Sequence, residues 1–115
     1  MKTSELTGAA LDWAVAKCEG VNAEAFDLFY EPTEPNDYDS HNYPEFHYST
    51  IWAHGGPIIE RECIDVMFEG PEWYAYMRWE DKNLQYDAPT PLIAAMRCYV
   101  ASKLGEEVDV PEELK

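Results

Sequence analysis

Three histidines, His41, His47 and His54, stand near the carboxylates Asp37 and Asp39, and imidazole together with carboxylate oxygen is a donor set that suits zinc and related ions. Their spacing does not give the one-face helical placement of a metal-binding histidine motif, so they are read as solvated loop histidines and no metal is assigned. Cys63 and Cys98 could each pair with a histidine as a nucleophile, but both stand in apolar contexts where a free cysteine behaves as a small hydrophobe. Glu60 and Glu62 are two residues apart on an expected helix and so face different directions, which leaves acid–base chemistry without a geometry. No catalytic residue emerges and no cofactor is implied; the expectation is a protein that is not an enzyme.

Binding chemistry has better candidates. Tyr48, Ser49, Thr50 and Trp52 lead into Gly55, Gly56 and Pro57, then Glu60 and Arg61. The Gly-Gly-Pro run lacks the glycine spacing and the Lys-Ser/Thr of a phosphate loop. Arg61 and Arg97 are two of only 8 cations, and planar guanidinium groups suit carboxylate or phosphate recognition. An internal ion pair, for example Arg97 with Glu60 or with an acid of the loop, is the favoured reading; the other is that Arg61 or Arg97 meets the charge of a ligand held between Tyr48 and Trp52.

These residues need elements to position them. Thr7 caps and Gly20 stops a first helix of about three turns, whose Leu11, Ala14, Val15 and Cys18 share an inward face with Trp13 at its margin. From residue 19 to residue 48 there is no Lys or Arg, and acids accumulate between Pro32, Pro35 and Pro44. A short strand at Ala25 to Tyr30 is followed by a long acidic, aromatic loop at about 31–50. Gly55 and Gly56 permit a reversal, and Pro57 suits the first position of a second helix at about 57–63, with Ile58, Ile59 and Cys63 toward the core. One compact turn over residues 48–57, packed on the helix that carries Arg97, is therefore expected.

Alternation in Trp73, Ala75, Met77 and Trp79 predicts a hairpin of Asp65–Glu69 and Trp73–Glu80 around Gly70-Pro71-Glu72, and a turn at Asp81-Lys82-Asn83 leads into a third short strand near Leu84 to Tyr86. Thr90, Pro91 and Gly105 bound the clearest helix, expected at the centre of the core. Residues 106–115 form an acidic tail that docks through Val108 and Val110 and otherwise frays. The expected fold is α+β: a small antiparallel sheet of about three strands flanked by helices, in the order helix, long loop, short helix, hairpin, helix, within a single domain spanning residues 1–115.

With 46% hydrophobic residues the chain has the apolar material for a core, and no apolar run approaches a membrane span. The start MKTSELTG lacks the layout of a signal peptide, so the expected location is the cytoplasm, here a host bacterial cytoplasm. Three widely spaced cysteines suit neither a disulfide framework nor a zinc site and are read as reduced, mostly buried thiols. A net charge of −15 repels phosphate backbones and anionic lipid, which argues against direct binding of nucleic acid or membrane.

Four segments carry a resemblance: Leu-Asp-Trp-Ala-Val-Ala at 11–16, Tyr-Ser-Thr at 48–50, Gly-Gly-Pro-Ile-Ile-Glu-Arg-Glu at 55–62, and Pro-Thr-Pro-Leu-Ile-Ala-Ala-Met-Arg-Cys-Tyr-Val at 89–100. They resemble the phage family that includes the lambdoid Nin-region protein NinX, from residue 3 to about residue 111, and are more distantly similar to small phage domains built as alpha-beta-alpha sandwiches. The resemblance implies a phage or prophage origin and a helix-flanked sheet, and it brings no catalytic residue. The family pattern favours Gly where Cys63 stands, so Cys63 is expected to serve packing.

Two functions fit these readings. The first is an accessory protein that offers an acidic surface, Glu31, Glu34, Asp37 and Asp39, to a basic host or phage protein. The alternative is a module for a nucleotide-type small molecule at the Tyr48–Pro57 turn, with Arg61 or Arg97 meeting its charge; an enzyme is the weaker third.

Overall fold

The computed structural model describes residues 1–21, 47–79 and 82–115. The expected strand at Ala25 to Tyr30, the acids Glu31, Glu34, Asp37 and Asp39, and His41 lie outside them.

Helix α1 (Gly8–Cys18) has a sequence with almost no polar side, and Ala10 through Ala16 are all buried. An apolar surface all round suits a helix covered on several sides. Trp13, placed by its spacing at the margin, is in fact only 7% exposed. Helix α3 (Pro91–Leu104) starts where expected: the Thr90 side chain accepts a hydrogen bond from the Ile93 N–H at 3.2 Å, and Pro91 takes the first turn, where its missing N–H costs nothing.

The strands β1 (Asp65–Glu69), β2 (Glu72–Trp79) and β3 (Lys82–Ala88) form an antiparallel sheet in that order. Glu69 lies opposite Glu72 across the two-residue turn, and Gly70 supplies the positive φ, 68°, that such a turn needs at its first position. β3 starts earlier than the sequence suggested, at Lys82.

Helix α3 packs on all three strands, while α1 and helix α2 (Trp52–Glu62) pack on α3. The layers therefore run sheet, α3, then α1 and α2, and this explains why α3 is apolar on opposite sides. Cys98 faces the sheet, its thiol donating to the Ala75 carbonyl at 3.1 Å, whereas Leu92 lies toward α2. The other face of the sheet carries no described helix. On it Asp65, Met67, Arg78, Gln85 and Asp87 are exposed.

The tail docks through Val108 and Val110 as expected, and Leu114 near its end, where fraying was expected, is covered as well. Val108 N–H donates to the Met1 carbonyl and Thr3 N–H to the Glu106 carbonyl, both at 2.8 Å, and Val108, Val110 and Leu114 are buried. Among the described residues no helix is long and apolar enough to cross a membrane.

The main departure is α2. Gly55, Gly56 and Pro57 do not form a turn before a helix at 57–63; they lie inside a helix that starts at Trp52. Local propensity argues against this, since each glycine costs about 1 kcal/mol relative to alanine and an interior proline about 3. Tertiary packing overrides it. Gly55 is buried where an added Cβ would collide with the Tyr48 carbonyl oxygen and come within 2.6 Å of Leu92 Cδ2, so only glycine lets α2 approach α3 this closely. Pro57 and Ala53, one turn apart, are both exposed, so the carbonyl that Pro57 leaves without a helical donor lies on the solvent side.

Candidate functional site

The 47–50 turn is pinned to α1 by a buried carboxylate. Asp12, 2% exposed, accepts the Ser49 N–H at 2.9 Å through Oδ1, and its Oδ2 lies 3.9 Å from His47 Nδ1. His47 is also buried, and its N–H donates to His54 Nδ1 at 3.1 Å, which joins the turn to the first turn of α2. The His47 carbonyl in turn accepts from the Thr50 and Ile51 amides. The Ser49 hydroxyl is buried with no hydrogen-bond partner among the described residues. This cluster is polar and shielded from water, and what it does on this geometry is fix the entry of α2 against α1 and α3.

A second cluster ties the far ends of the helices. Arg61 grips Glu19 with both ends of its guanidinium, at 3.0 and 2.6 Å, and donates from Nε to Glu62 at 2.8 Å. The Tyr99 hydroxyl donates to the same Glu19 carboxylate at 2.5 Å. One carboxylate just past α1 thereby holds α2 and α3. The hydrogen bonds from Arg61 keep Glu19 below the usual carboxylate range, with Tyr99 acting in the same direction. Tyr99 moves up, through burial first and then its hydrogen bond to Glu19, with the Glu19 charge adding to it.

Arg97 does not pair with Glu60. It donates to two carbonyls, Leu6 at 2.8 Å and Asp87 at 2.7 Å, and so fastens α3 to the chain before α1 and to β3. Of the candidate binding residues, the structure brings Tyr48, Ser49 and Gly55 together, and leaves Trp52, Thr50, Pro57 and Glu60 exposed, Trp52 at 54%. Gly56 is half-buried with ordinary space around it, 3.7 Å from Trp52 to an added Cβ. Arg61 and Arg97 are each engaged elsewhere. Leu92 and the Tyr48 carbonyl fill the place where a ligand beside Gly55 would sit. A groove of about 440 Å³ lies instead on the β2–β3 hairpin, lined by Tyr76, Met77, Arg78, Asn83, Leu84 and Gln85.

Two of the three thiols, Cys18 and Cys98, are poor nucleophiles on this geometry. Burial pushes Cys98 up to about 12 and Cys18 up to about 11, the latter with help from Glu19. Cys63, expected in the core, is exposed: it caps α2 in the left-handed region at φ 54°, while the Ile64 N–H closes back on the Ile59 carbonyl at 3.0 Å. That is a position made for glycine. Among the described residues no group of three or more His, Cys, Asp or Glu side chains is placed to hold a metal. The carboxyls of Glu72 and Asp87 do meet on the open side of the sheet, and hydrogen bonding to Asp87 raises Glu72 above its ordinary range.

Sequence reasoning missed Asp12, Glu19 and Tyr99. The available signal for Asp12 was its isolation: a lone carboxylate in a helix with no polar side must find a buried partner. Glu19 gave no such signal, because one acid among 23 is anonymous until the fold sets Arg61 across from it.

A profile of the family described as Bacteriophage P22, NinX matches residues 2–103. The chain belongs to that family. The matched span runs from the residue before Thr3 almost to the end of α3, so the NinX family pattern covers the sheet, all three helices and both polar clusters. No curated protein matches the chain.

Proposed function

We propose that this NinX-family protein is a non-enzymatic phage or prophage accessory protein that acts in the host cytoplasm by binding a basic surface of a host or phage protein. The observation that supports this is how its few cations are used. Arg61 is neutralised by Glu19 and Glu62, Arg97 is turned inward onto two carbonyls, Lys17 lies over the Trp13 ring at 5.0 Å, and Lys115 pairs with Glu112. Lys2, Arg78 and Lys103 are exposed, but they are few against the net charge of −15 that the protein as a whole carries. Such a field speeds the approach of a basic partner and repels polyanions.

The test is in-cell crosslinking during infection followed by binding of the recovered partner to the purified protein. A partner with a basic surface is expected, bound with an affinity that falls as salt rises and that drops at least tenfold when Glu31, Glu34, Asp37 and Asp39 are changed to Lys. A partner bound equally well at high salt and by the reversed variant overturns the reading.

A further inference from the structure

The two edges of the sheet differ in what they present. β3 carries exposed Asn83, Gln85 and Asp87, while its Leu84 and Tyr86 are partly covered by the core. β1 instead carries two of the largest exposed apolar side chains among the described residues, Met67 at 48% and Phe68 at 60%. Being adjacent on a strand, these point to opposite faces of the sheet. Phe68 is held in place by the Trp73 ring, with centroids 5.2 Å apart. No described strand pairs with the outer edge of β1. Its flanks are acidic: Asp65 and Glu69 share a face with Met67, and all three are exposed.

This charge pattern selects the occupant. If a second copy paired antiparallel over the whole of β1, centred on Met67, Asp65 of each copy would lie opposite Glu69 of the other, and like charges directly opposite are destabilising. An incoming strand with a basic residue at each end and apolar residues between meets complementary charge at both flanks and covers Met67 and Phe68. We propose that the outer edge of β1, which no described strand occupies, accepts an extended, basic-flanked segment of a partner protein as a further antiparallel strand. Backbone hydrogen bonds supply the attachment, while Asp65, Met67 and Glu69 supply the selection. The proposal rests on the reading above for the basic character of the partner and adds, besides the acids Glu31, Glu34, Asp37 and Asp39, a second point of attachment and its mode.

The experiment uses the full chain and two blocked peptides, Lys-Val-Leu-Val-Lys and Glu-Val-Leu-Val-Glu, titrated while backbone amide resonances and their hydrogen exchange are followed. The basic peptide is expected to shift and protect amides of residues 65–69 and leave the β3 edge unchanged, with the acidic peptide binding at least tenfold more weakly. In the double variant D65K/E69K the preference should reverse; both side chains are exposed, and an unchanged melting temperature confirms the fold. Binding elsewhere on the chain, or a preference that survives the double variant, overturns the proposal, as does protection of residues 65–69 by self-association of the wild-type chain. A chain that ignores both peptides overturns the β1 site and leaves the acidic-surface reading standing. A chain that takes the basic peptide but recovers a non-basic partner in infected cells overturns that reading alone.

Discussion

The helical side of this protein and its sheet side treat polar groups in opposite ways. On the helical side, Asp12, Glu19 and Arg61 at the helix junctions and Arg97 on α3 are each committed to two or more partners within the chain. On the sheet, Arg78, Asn83 and Gln85 are exposed around a groove, and β1 leaves two apolar side chains in water. The contrast separates what builds the fold from what is free to meet something else. Residues singled out for their chemistry, the guanidinium groups and the Gly-Gly-Pro run, fall on the side that builds.

The contrast is broken most severely at Gly55. G55A should destabilise the protein by about 3 kcal/mol, the upper part of the range for overpacking a core, because the added methyl must displace Leu92 and the Tyr48 carbonyl. The neighbouring G56A meets nothing closer than ordinary contact and should stabilise by up to about 1 kcal/mol through helix propensity. Urea denaturation of the two variants side by side checks this. Equal effects would mean that the pair acts as a flexible turn after all.

Next comes the buried carboxylate. D12A leaves the Ser49 amide buried and unpaired, at a cost of about 2 to 3 kcal/mol, whereas D12N keeps an oxygen acceptor in place and should lose about half as much. If both variants melt alike, charge rather than the hydrogen bond is what holds the turn to α1.

These two positions also mark where sequence reasoning reached and where it stopped. The caps of α3, the hairpin at Gly70 and the strand alternation are local signals, and each appears in the structure because the residues that carry it act on their immediate neighbours, although Glu72, expected in the turn, already belongs to β2. Gly55 is different. Its role depends on Leu92 and on a carbonyl seven residues back, and nothing within the Gly-Gly-Pro run separates a turn from a helix that must approach its neighbour closely. The same holds for the candidate site. Gly55 lies against the helix that carries Arg97, as expected, but Ser49 is bonded to α1 through Asp12, Arg61 found Glu19 and Arg97 found carbonyls, pairings between residues distant in sequence.

A smaller effect sharpens the comparison at the end of α2. Cys63 holds a left-handed backbone at φ 54° with its side chain exposed, so it carries a conformational cost without a packing return. C63G should stabilise by about 1 kcal/mol, as relief of a left-handed conformation predicts. The thiols should also separate by reactivity: Cys63 labels in the native state, while Cys98, buried and pushed up to about 12, labels only on unfolding. A native protein in which Cys98 reacts as fast as Cys63 would show that α3 is not sealed against the sheet.

The smallest expected effect tests whether the committed charges hold the helices together or merely occupy one another. Glu19 is 19% exposed and Arg61 50%, so solvent screening limits their pair, and E19Q should cost only about 0.5 to 1 kcal/mol at neutral pH. The pH dependence is the sharper readout. Because the folded state holds the Glu19 carboxyl below its ordinary 4.5, its contribution is fully present above that value and is lost as the pH falls through the lower, folded value. Wild type and E19Q should therefore differ at neutral pH and converge in acid, while an R61K variant, which cannot grip the carboxylate with a two-pronged fork, falls between them. A stability difference that persists unchanged below the Glu19 titration would assign the loss to side-chain packing against Tyr99, and the junction would then be held by shape rather than by charge.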